Sequence, residues 1–208
     1  MNGDGYDDLV VGARRFSGNG ITREGRLYVY HGSPSGLSTT ASWVRDGGQR
    51  NGEFGESASN AGDVNGDGFG DLIAGAFRYD HPEVDEGIAY LFLGSTSGLS
   101  QTPAWTAEGN QAGGYFSYHV DTAGDVNGDN FADVVLTSAN YDVNGFTDAG
   151  SACVYLGSPS GLASTPAWIQ DGDQAGGGLG NSGRGMGDVN GDGFDDVGTG
   201  ALYEDFGS

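Results

Sequence analysis

An acidic segment of nine residues recurs along this chain, and its spacing constrains the fold more than any other feature. The segment reads DVNGDGFDD at residues 188–196, and similar segments occupy residues 63–71 and 125–133. Successive copies begin 62 or 63 residues apart. A fourth copy at the start of the chain lacks its first aspartate, because that position would precede Met1. A period of this length predicts an array of similar structural units.

Each segment places oxygen-bearing side chains at alternate positions, as a loop that wraps a calcium ion does. Calcium accepts about six to eight oxygen ligands and tolerates carboxylate, amide and backbone carbonyl donors together. Side chains at positions 1, 3, 5 and 9 and the backbone carbonyl of position 7 could supply them. The predicted ligands are Asp63, Asn65, Asp67, Phe69 and Asp71; Asp125, Asn127, Asp129, Phe131 and Asp133; Asp188, Asn190, Asp192, Phe194 and Asp196; and, in the incomplete copy, Asn2, Asp4, Tyr6 and Asp8. We therefore expect up to four Ca²⁺ ions, the first at a site that is incomplete within this chain.

Position 6 of each segment supports the loop interpretation. It is glycine in three copies and Asn130 in the other, and asparagine is among the few residues that readily adopt the left-handed backbone conformation of a sharp turn. One isolated Asp-Asn-Gly run could equally be a polar turn. Three complete copies in the same ligand register favour metal loops.

Two other calcium motifs disagree with the sequence. An EF-hand requires a bidentate glutamate at position 12, where these segments have Ala74, Leu136 and Thr199. A nonapeptide calcium repeat would recur about every nine residues. Both motifs are therefore excluded.

Composition limits the partners. The 208 residues carry 29 acidic side chains against eight arginines, for a formal net charge of −21. Such a charge disfavours binding to nucleic acid and to anionic membranes, and no apolar run approaches the ~20 residues of a membrane span. The lone cysteine, Cys153, is expected to be a buried, unreactive thiol.

The rest of each period predicts four short strands and no helix. Apolar runs too short for a helix alternate with glycine-rich turns. Trp43, Trp105 and Trp168 occupy one equivalent position, which favours packing between neighbouring units. We predict an all-β protein built of β-propeller blades, each of four antiparallel strands, with about 3.3 repeats of 62–63 residues. The predicted units within one segment, 1–208, are 1–53 (partial), 54–115, 116–178 and 179–208 (partial).

Three motifs resemble the FG-GAP repeat of integrin alpha-chain heads and of many bacterial surface proteins. They are Phe54-Gly55, the loop at 63–71 and Gly75-Ala76, with departures at Ser117, Leu179 and Ser138-Ala139. The resemblance implies that each repeat is one blade, that the metal loop joins its first two strands on the lower face, and that ligands meet the opposite face. It also implies strands two to four of one blade, two whole blades and the first two strands of another. Because such propellers resemble seven-bladed rings, the chain is expected to be part of a longer parent protein or to complete a ring as a homo-oligomer.

Recognition is expected in the loops between the second and third strands, which differ most between copies. The candidate ligand-binding residues are Arg14, Arg15, Arg78, Tyr79 and Tyr141. No catalytic residues are predicted, since the three histidines occupy unmatched positions. We expect an extracellular recognition or adhesion module, secreted or on the cell surface, with a protein or carbohydrate ligand. The alternatives are a lectin-like carbohydrate-binding propeller and a purely structural or accessory segment of a larger, possibly enzymatic, protein.

Overall fold

The computed structural model describes residues 1–203, which form thirteen β-strands joined by turns and loops. Within this range no helix is long and apolar enough to cross a membrane. The strands are β1 (Leu9–Gly12), β2 (Arg26–Tyr30), β3 (Trp43–Asp46), β4 (Ala58–Gly62), β5 (Asp71–Ala76), β6 (Ile88–Phe92), β7 (Trp105–Glu108), β8 (Val120–Gly124), β9 (Asp133–Ser138), β10 (Ser151–Tyr155), β11 (Trp168–Asp171), β12 (Ser182–Gly187) and β13 (Asp196–Gly200).

The strands form four antiparallel sheets in chain order. They are β1-β2-β3, β4-β5-β6-β7, β8-β9-β10-β11 and β12-β13, which we call blades one to four. Blades two and three are complete, blade one lacks a first strand, and blade four has its first two strands. The all-β prediction of four-stranded propeller blades is confirmed, and the sheets do not close into a ring within this chain.

The first strand of each blade lies innermost. Strand β8 contacts both β4 and β12, so the first strands of blades two, three and four pack side by side. Their small side chains allow this close approach. A Cβ added at Gly183 would lie 2.5 Å from Thr137 Cγ2, and one at Gly185 would lie 2.4 Å from the carbonyl oxygen of Thr122. Larger residues at these glycines would push the blades apart.

The second strands of the two complete blades, β5 and β9, are buried on both faces. Alternate residues of β5 pack against different neighbours. In β5, Leu72 and Ala74 pack with blade one, whereas Ile73 packs with blade three. Fully burying one such aliphatic side chain contributes roughly 1.5–3 kcal/mol. Cys153 is buried in the same layer as Ile73, and burial raises the pKa of its thiol to about 12. The cysteine is therefore an apolar packing residue.

Tryptophans on the fourth strands of blades one and two connect each of these blades to the next one. The indole Nε1 of Trp43 donates to the carbonyl oxygen of Ser100 at 3.2 Å, and that of Trp105 donates to the carbonyl oxygen of Ala163 at 2.9 Å. Trp168, at the equivalent position of blade three, is 44% exposed. The structure agrees with the interpretation of these residues as contacts between units.

Candidate functional site

The four acidic loops lie at one end of the blades. Each complete loop joins the first strand of a blade to its second, so antiparallel pairing places all of them on the same side. A β-bulge precedes each complete loop, at Gly62, Gly124 and Gly187. Each of these glycines has a positive φ, between 68° and 79°. The bulge turns the chain out of the sheet and into the loop.

The first aspartate of each complete loop accepts three backbone N–H groups. Asp63 Oδ1 accepts from Gly66 and Asp67 at 2.7 and 3.1 Å, and its Oδ2 accepts from Gly68 at 2.8 Å. The equivalent bonds to Asp125 are 2.7, 3.0 and 2.7 Å long, and those to Asp188 are 2.6, 3.1 and 2.8 Å long. These backbone hydrogen bonds lower the pKa of Asp188. The three loops thus share one conformation.

Positions 3 and 5 continue the turn with the same side-chain contacts in each loop. Asn65 Oδ1 accepts the N–H of Asp67 at 3.1 Å, and Asp67 Oδ1 accepts the N–H of Phe69 at 3.0 Å. The incomplete first loop repeats these contacts at Asn2, Asp4 and Tyr6, with bonds of 3.3 and 3.0 Å. A missing first aspartate therefore leaves the middle of the loop unchanged.

The backbone at position 6 is left-handed in every copy. Its φ is +86°, +91° and +93° at the three glycines and +70° at Asn130. The sequence-based interpretation of Asn130 is confirmed.

In blades two and three, the last aspartate of the loop anchors it to the turn between the third and fourth strands. Asp71 is fully buried, and its carboxylate accepts the N–H of Val64 at 3.0 Å and that of Gly94 at 2.8 Å. Asp133 makes the same two bonds in blade three, and burial raises its pKa also. Burial, with a further contribution from the charges of Asp67 and Asp63, raises the pKa of Asp71 to about 6. An anionic Asp71 therefore gains from a nearby cation.

The donor set of the loops fits a hard divalent cation. All predicted ligands are oxygens, and each carboxylate oxygen of Asp71 that accepts one N–H retains a second lone pair. Among residues 1–203, the three carboxylates of a loop are not grouped within 4.8 Å of one another. Because like charges repel, a cation is the partner that would draw them together. This donor set fits calcium. The aspartate and asparagine side chains and the backbone carbonyl of position 7 would be its ligands.

The opposite end of the blades carries a cavity lined by arginines. The connections between the second and third strands lie at this end, because each second strand runs away from its acidic loop. The cavity has a volume of about 310 Å³, and its lining includes Arg14, Arg15, Arg23 and Arg78, which are four of the eight arginines in the chain. The structure therefore brings together three of the predicted ligand-binding residues.

Two of these arginines are ion-paired within the protein. Arg14 pairs with Glu56 at 2.5 Å, and Arg23 pairs with the buried Glu53. For Arg15 and Arg78, the part of the chain that the structure describes provides no ion pair. Of the four arginines at the cavity, these two are the ones whose guanidinium groups could form an ion pair with a ligand.

Aromatic rings hold the Arg78 guanidinium in place. Its carbon Cζ lies 5.2 Å from the centroid of the Tyr115 ring and 5.5 Å from that of Phe77. Phe77 is itself held by edge contacts with Tyr115 and Tyr118, at 5.5 and 5.3 Å between centroids. The Nε atom of Arg78 is buried and has no hydrogen-bond partner among the described residues. A buried N–H donor without a partner is costly, so Arg78 favours an acceptor from outside the chain.

The other two predicted ligand-binding residues lie elsewhere. Tyr79 packs against the core between blades one and two, with its ring edge toward Tyr90. Tyr141 lines a separate cavity of about 300 Å³ beside Tyr155. Sequence reasoning missed several residues that line the arginine cavity: Arg23, Glu53, Tyr115, Tyr118, Asn140 and Asn181. Tyr115 and Tyr118 lie on the connection from blade two to blade three, outside the variable loops that were predicted to bind a ligand.

Comparison with known proteins supports the repeat architecture. A profile described as the FG-GAP repeat matches residues 1–30 and 54–92. The chain is 38% identical over 117 residues to integrin alpha-PS2 of Drosophila melanogaster, a match that covers 53% of this chain and 8% of that protein. It is 32% identical over 178 residues to integrin alpha-IIb of Mus musculus, covering 82% of this chain and 16% of that protein.

A third relative is named as an enzyme and not as an integrin. Phosphatidylinositol-glycan-specific phospholipase D of Bos taurus is 33% identical over 167 residues, a match that covers 76% of this chain and 20% of that protein. The chain thus spans one fifth or less of the length of these three relatives. Similar repeats occur in proteins whose names describe different activities.

Proposed function

We propose, from the premise that this chain is an integrin alpha-like FG-GAP propeller segment, that it acts as a calcium-stabilised recognition module outside the cell. The observation that carries the proposal is the chemical difference between the two ends of the blades. One end carries the acidic loops, and the other gathers half of the arginines around a cavity. An extracellular location is the one that the family resemblance implies.

Calcium has a structural role in this proposal. Each complete loop concentrates at least three carboxylates within nine residues, and one Ca²⁺ ion would offset two of their charges. The first and last carboxylates already hold backbone N–H groups, so the ion would fix the loop to the strands on both sides. Metal binding and folding are then coupled.

The ligand in this proposal is acidic and binds at the arginine cavity. Arg15 is exposed and Arg78 is stacked on aromatic rings, and neither forms a direct ion pair within the described chain, although Arg78 lies near the carboxylate of Asp85. Guanidinium groups bind carboxylates through paired hydrogen bonds, which add geometric specificity to charge. An aspartate or glutamate side chain of a partner protein has the required chemistry.

Binding of peptides with and without a central acidic residue tests this role. The Arg78→Ala and Arg15→Ala variants should bind an acidic peptide at least about tenfold more weakly, since a charge-assisted hydrogen bond contributes about 1.5–3 kcal/mol. Arg50→Ala is the matched control, because Arg50 lies outside the cavity and, within residues 1–203, its side chain donates to Thr22 Oγ1. Equal losses in all three variants would point to net charge alone and contradict the proposal.

A carbohydrate ligand is the second candidate. The rings of Tyr115 and Tyr118 at the cavity favour it, because aromatic faces offer apolar contact together with a hydroxyl group. A glycan array would separate the two ligands: binding to acidic sugars that is lost in Tyr118→Ala supports the carbohydrate. If neither peptide nor glycan binds, the segment is architectural, and the phospholipase D relative makes an accessory position beside a catalytic domain the natural interpretation.

A further inference from the structure

A cluster of three metal-ligating side chains lies in blade two, away from the acidic loops. It consists of His81 on the loop after β5, Glu86 just before β6 and Glu108 at the end of β7. One ligand atom from each lies within 4.8 Å of the other two. The closest pair is His81 Nδ1 and Glu108 Oε2, at 3.3 Å. By blade topology, the cluster lies at the same end as the arginine cavity.

Glu86 is fully buried, and one of its oxygens has no partner. Its Oε2 accepts the N–H of Asn110 at 3.1 Å, whereas its Oε1 is buried without a hydrogen bond within residues 1–203. Burial, and then the charge of Glu108, raises the pKa of Glu86, whereas the backbone N–H groups of His81 and Asn110 act in the opposite direction. A buried carboxylate beside a second carboxylate is costly unless a donor or a cation compensates it.

The equivalent residue in blade one shows what Glu86 lacks. Glu24 precedes β2 as Glu86 precedes β6, and it is buried to the same degree. Its Oε1 accepts the N–H of Gly18 at 3.0 Å, and its Oε2 accepts that of Gly48 at 3.2 Å. Blade three has Ala149 at this position. Of these two buried glutamates, Glu24 has a hydrogen bond to each carboxylate oxygen, whereas Glu86 has one to Oε2 alone.

Glu108 differs from its equivalents because no polar side chain lies opposite it on the neighbouring strand. In blade one, Asp46 lies opposite Arg26 and forms an ion pair with it. In blade three, Asp171 lies opposite Ser151 and accepts its hydroxyl at 2.9 Å. The residue opposite Glu108 is Ile88, whose side chain has no hydrogen-bond donor.

The loop that carries His81 is held in place from the neighbouring blade. The Gln49 side chain donates from Nε2 to the carbonyl oxygen of Asp80 at 2.9 Å and accepts the N–H of Asp80 at 2.7 Å. His81 follows Asp80 directly, so its backbone position does not depend on its own side-chain contacts. The imidazole is therefore presented to the two glutamates by a fixed loop.

We propose that His81, Glu86 and Glu108 bind a divalent transition-metal ion, with Zn²⁺ as its representative. One imidazole nitrogen and two carboxylates are a donor set that zinc binds at about 2.0–2.2 Å, whereas calcium prefers oxygen alone. Three protein ligands leave a coordination position for water or for an acidic group of a bound ligand. The site thus differs from the calcium loops in its location, its donors and its metal.

An ordinary ion pair between His81 and Glu108 is the competing explanation, and zinc titration distinguishes the two. The protein is held in excess Ca²⁺ to fill the acidic loops, at pH about 7.5, where an unperturbed imidazole is neutral. Calorimetric titration with Zn²⁺ should then show one ion bound per chain. His81→Ala and Glu108→Gln should each weaken the binding at least about tenfold, the loss expected when a group that holds a metal is removed.

Asp171→Asn is the matched control, because it removes the carboxylate at the same strand position of blade three, where there is no histidine. It should leave zinc binding unchanged. Both test residues are partly exposed, so their variants should fold, and melting in calcium alone verifies this for each protein. The proposal is overturned if calcium-saturated protein binds no zinc, or if His81→Ala binds zinc as tightly as the unchanged protein.

Discussion

The phenyl ring of Phe131 lies directly over Gly66 of the preceding acidic loop. A Cβ added at Gly66 would be 2.6 Å from Cε1 of this ring. The same relationship joins Phe69 to Gly3, at 2.6 Å, and Phe194 to Gly128, at 2.8 Å. Each loop therefore supplies an aromatic cover for the loop before it, and the glycine at position 4 leaves room for the ring.

Removing one of these rings should affect two loops. Phe131→Ala is expected to destabilise the protein by about 1–2 kcal/mol, because the half-buried ring loses its contact with Gly66. It should also weaken calcium binding by the loop at residues 63–71, whose ligands it leaves intact. Denaturant unfolding and calcium titration measure the two effects. If only the loop at residues 125–133 responds, the loops are independent.

Removing calcium should lower the melting temperature substantially. An ion that binds only the folded state contributes about 2.7 kcal/mol per site when its free concentration is 100 times its Kd, and the chain has three complete loops. Adding calcium back after chelation should restore the original melting curve. Magnesium at the same concentration is the control, since it tolerates these irregular oxygen sites poorly. Identical curves with and without chelator would eliminate calcium as a structural ion.

The buried carboxylate of Asp71 should make calcium-free protein less stable as the pH rises. Its pKa is about 6 in the folded protein and about 3.9 in an unfolded chain. The folded state therefore holds the proton more tightly, so this contribution to stability is complete below pH ~4 and is lost as the pH rises through ~6. Calcium binding should show the opposite trend and weaken below pH ~6, because protons compete for the carboxylate. Melting in chelator from pH 4 to pH 7 measures the first effect, and Asp71→Asn should flatten the profile.

Two equivalent tryptophans should differ in their contribution to stability. Trp105→Phe removes the indole donor that reaches Ala163 in the next blade, at a cost of about 1 kcal/mol for the lost hydrogen bond. Trp168→Phe should cost almost nothing, because Trp168 is 44% exposed and its Nε1 has no partner within residues 1–203. Urea unfolding of the two variants provides the comparison. A large loss in Trp168→Phe would show that its face is covered in solution.

Local patterns predicted much of the fold and the conformation of the loops. The fixed offsets between Asp63 and Asp71 specify a turn whose backbone bonds are internal, so the copies fold alike without long-range information. Asn130 could be placed for the same reason. The apolar run of β5 was too short for a helix, and its glycine boundaries marked both ends. The exact strand ends were not predicted, because they depend on contacts with neighbouring strands.

The arginine cavity could not be predicted in full, because it depends on how blades pack. Arg23 and Arg78 are 55 residues apart in the chain, and neither Tyr115 nor Glu53 belongs to a variable loop. Tyr79 looked equivalent to Arg78 in the sequence, but the two neighbouring side chains turn to different neighbours: one joins the core between blades and the other the cavity. The direction of a side chain at a loop position is set by tertiary contacts, which periodicity does not encode.

The arginines of the cavity, set in a strongly acidic protein, would also affect how an acidic partner approaches. With a net charge of −21, the protein as a whole repels an acidic molecule, while the end that holds Arg15 and Arg78 attracts it at short range. Productive collisions would then be those in which the arginine end leads, and salt would weaken both the long-range repulsion and the final attraction. If the proposed acidic ligand binds there, the charge distribution would favour one orientation of approach and so select the face of first contact before any side chain touches the ligand.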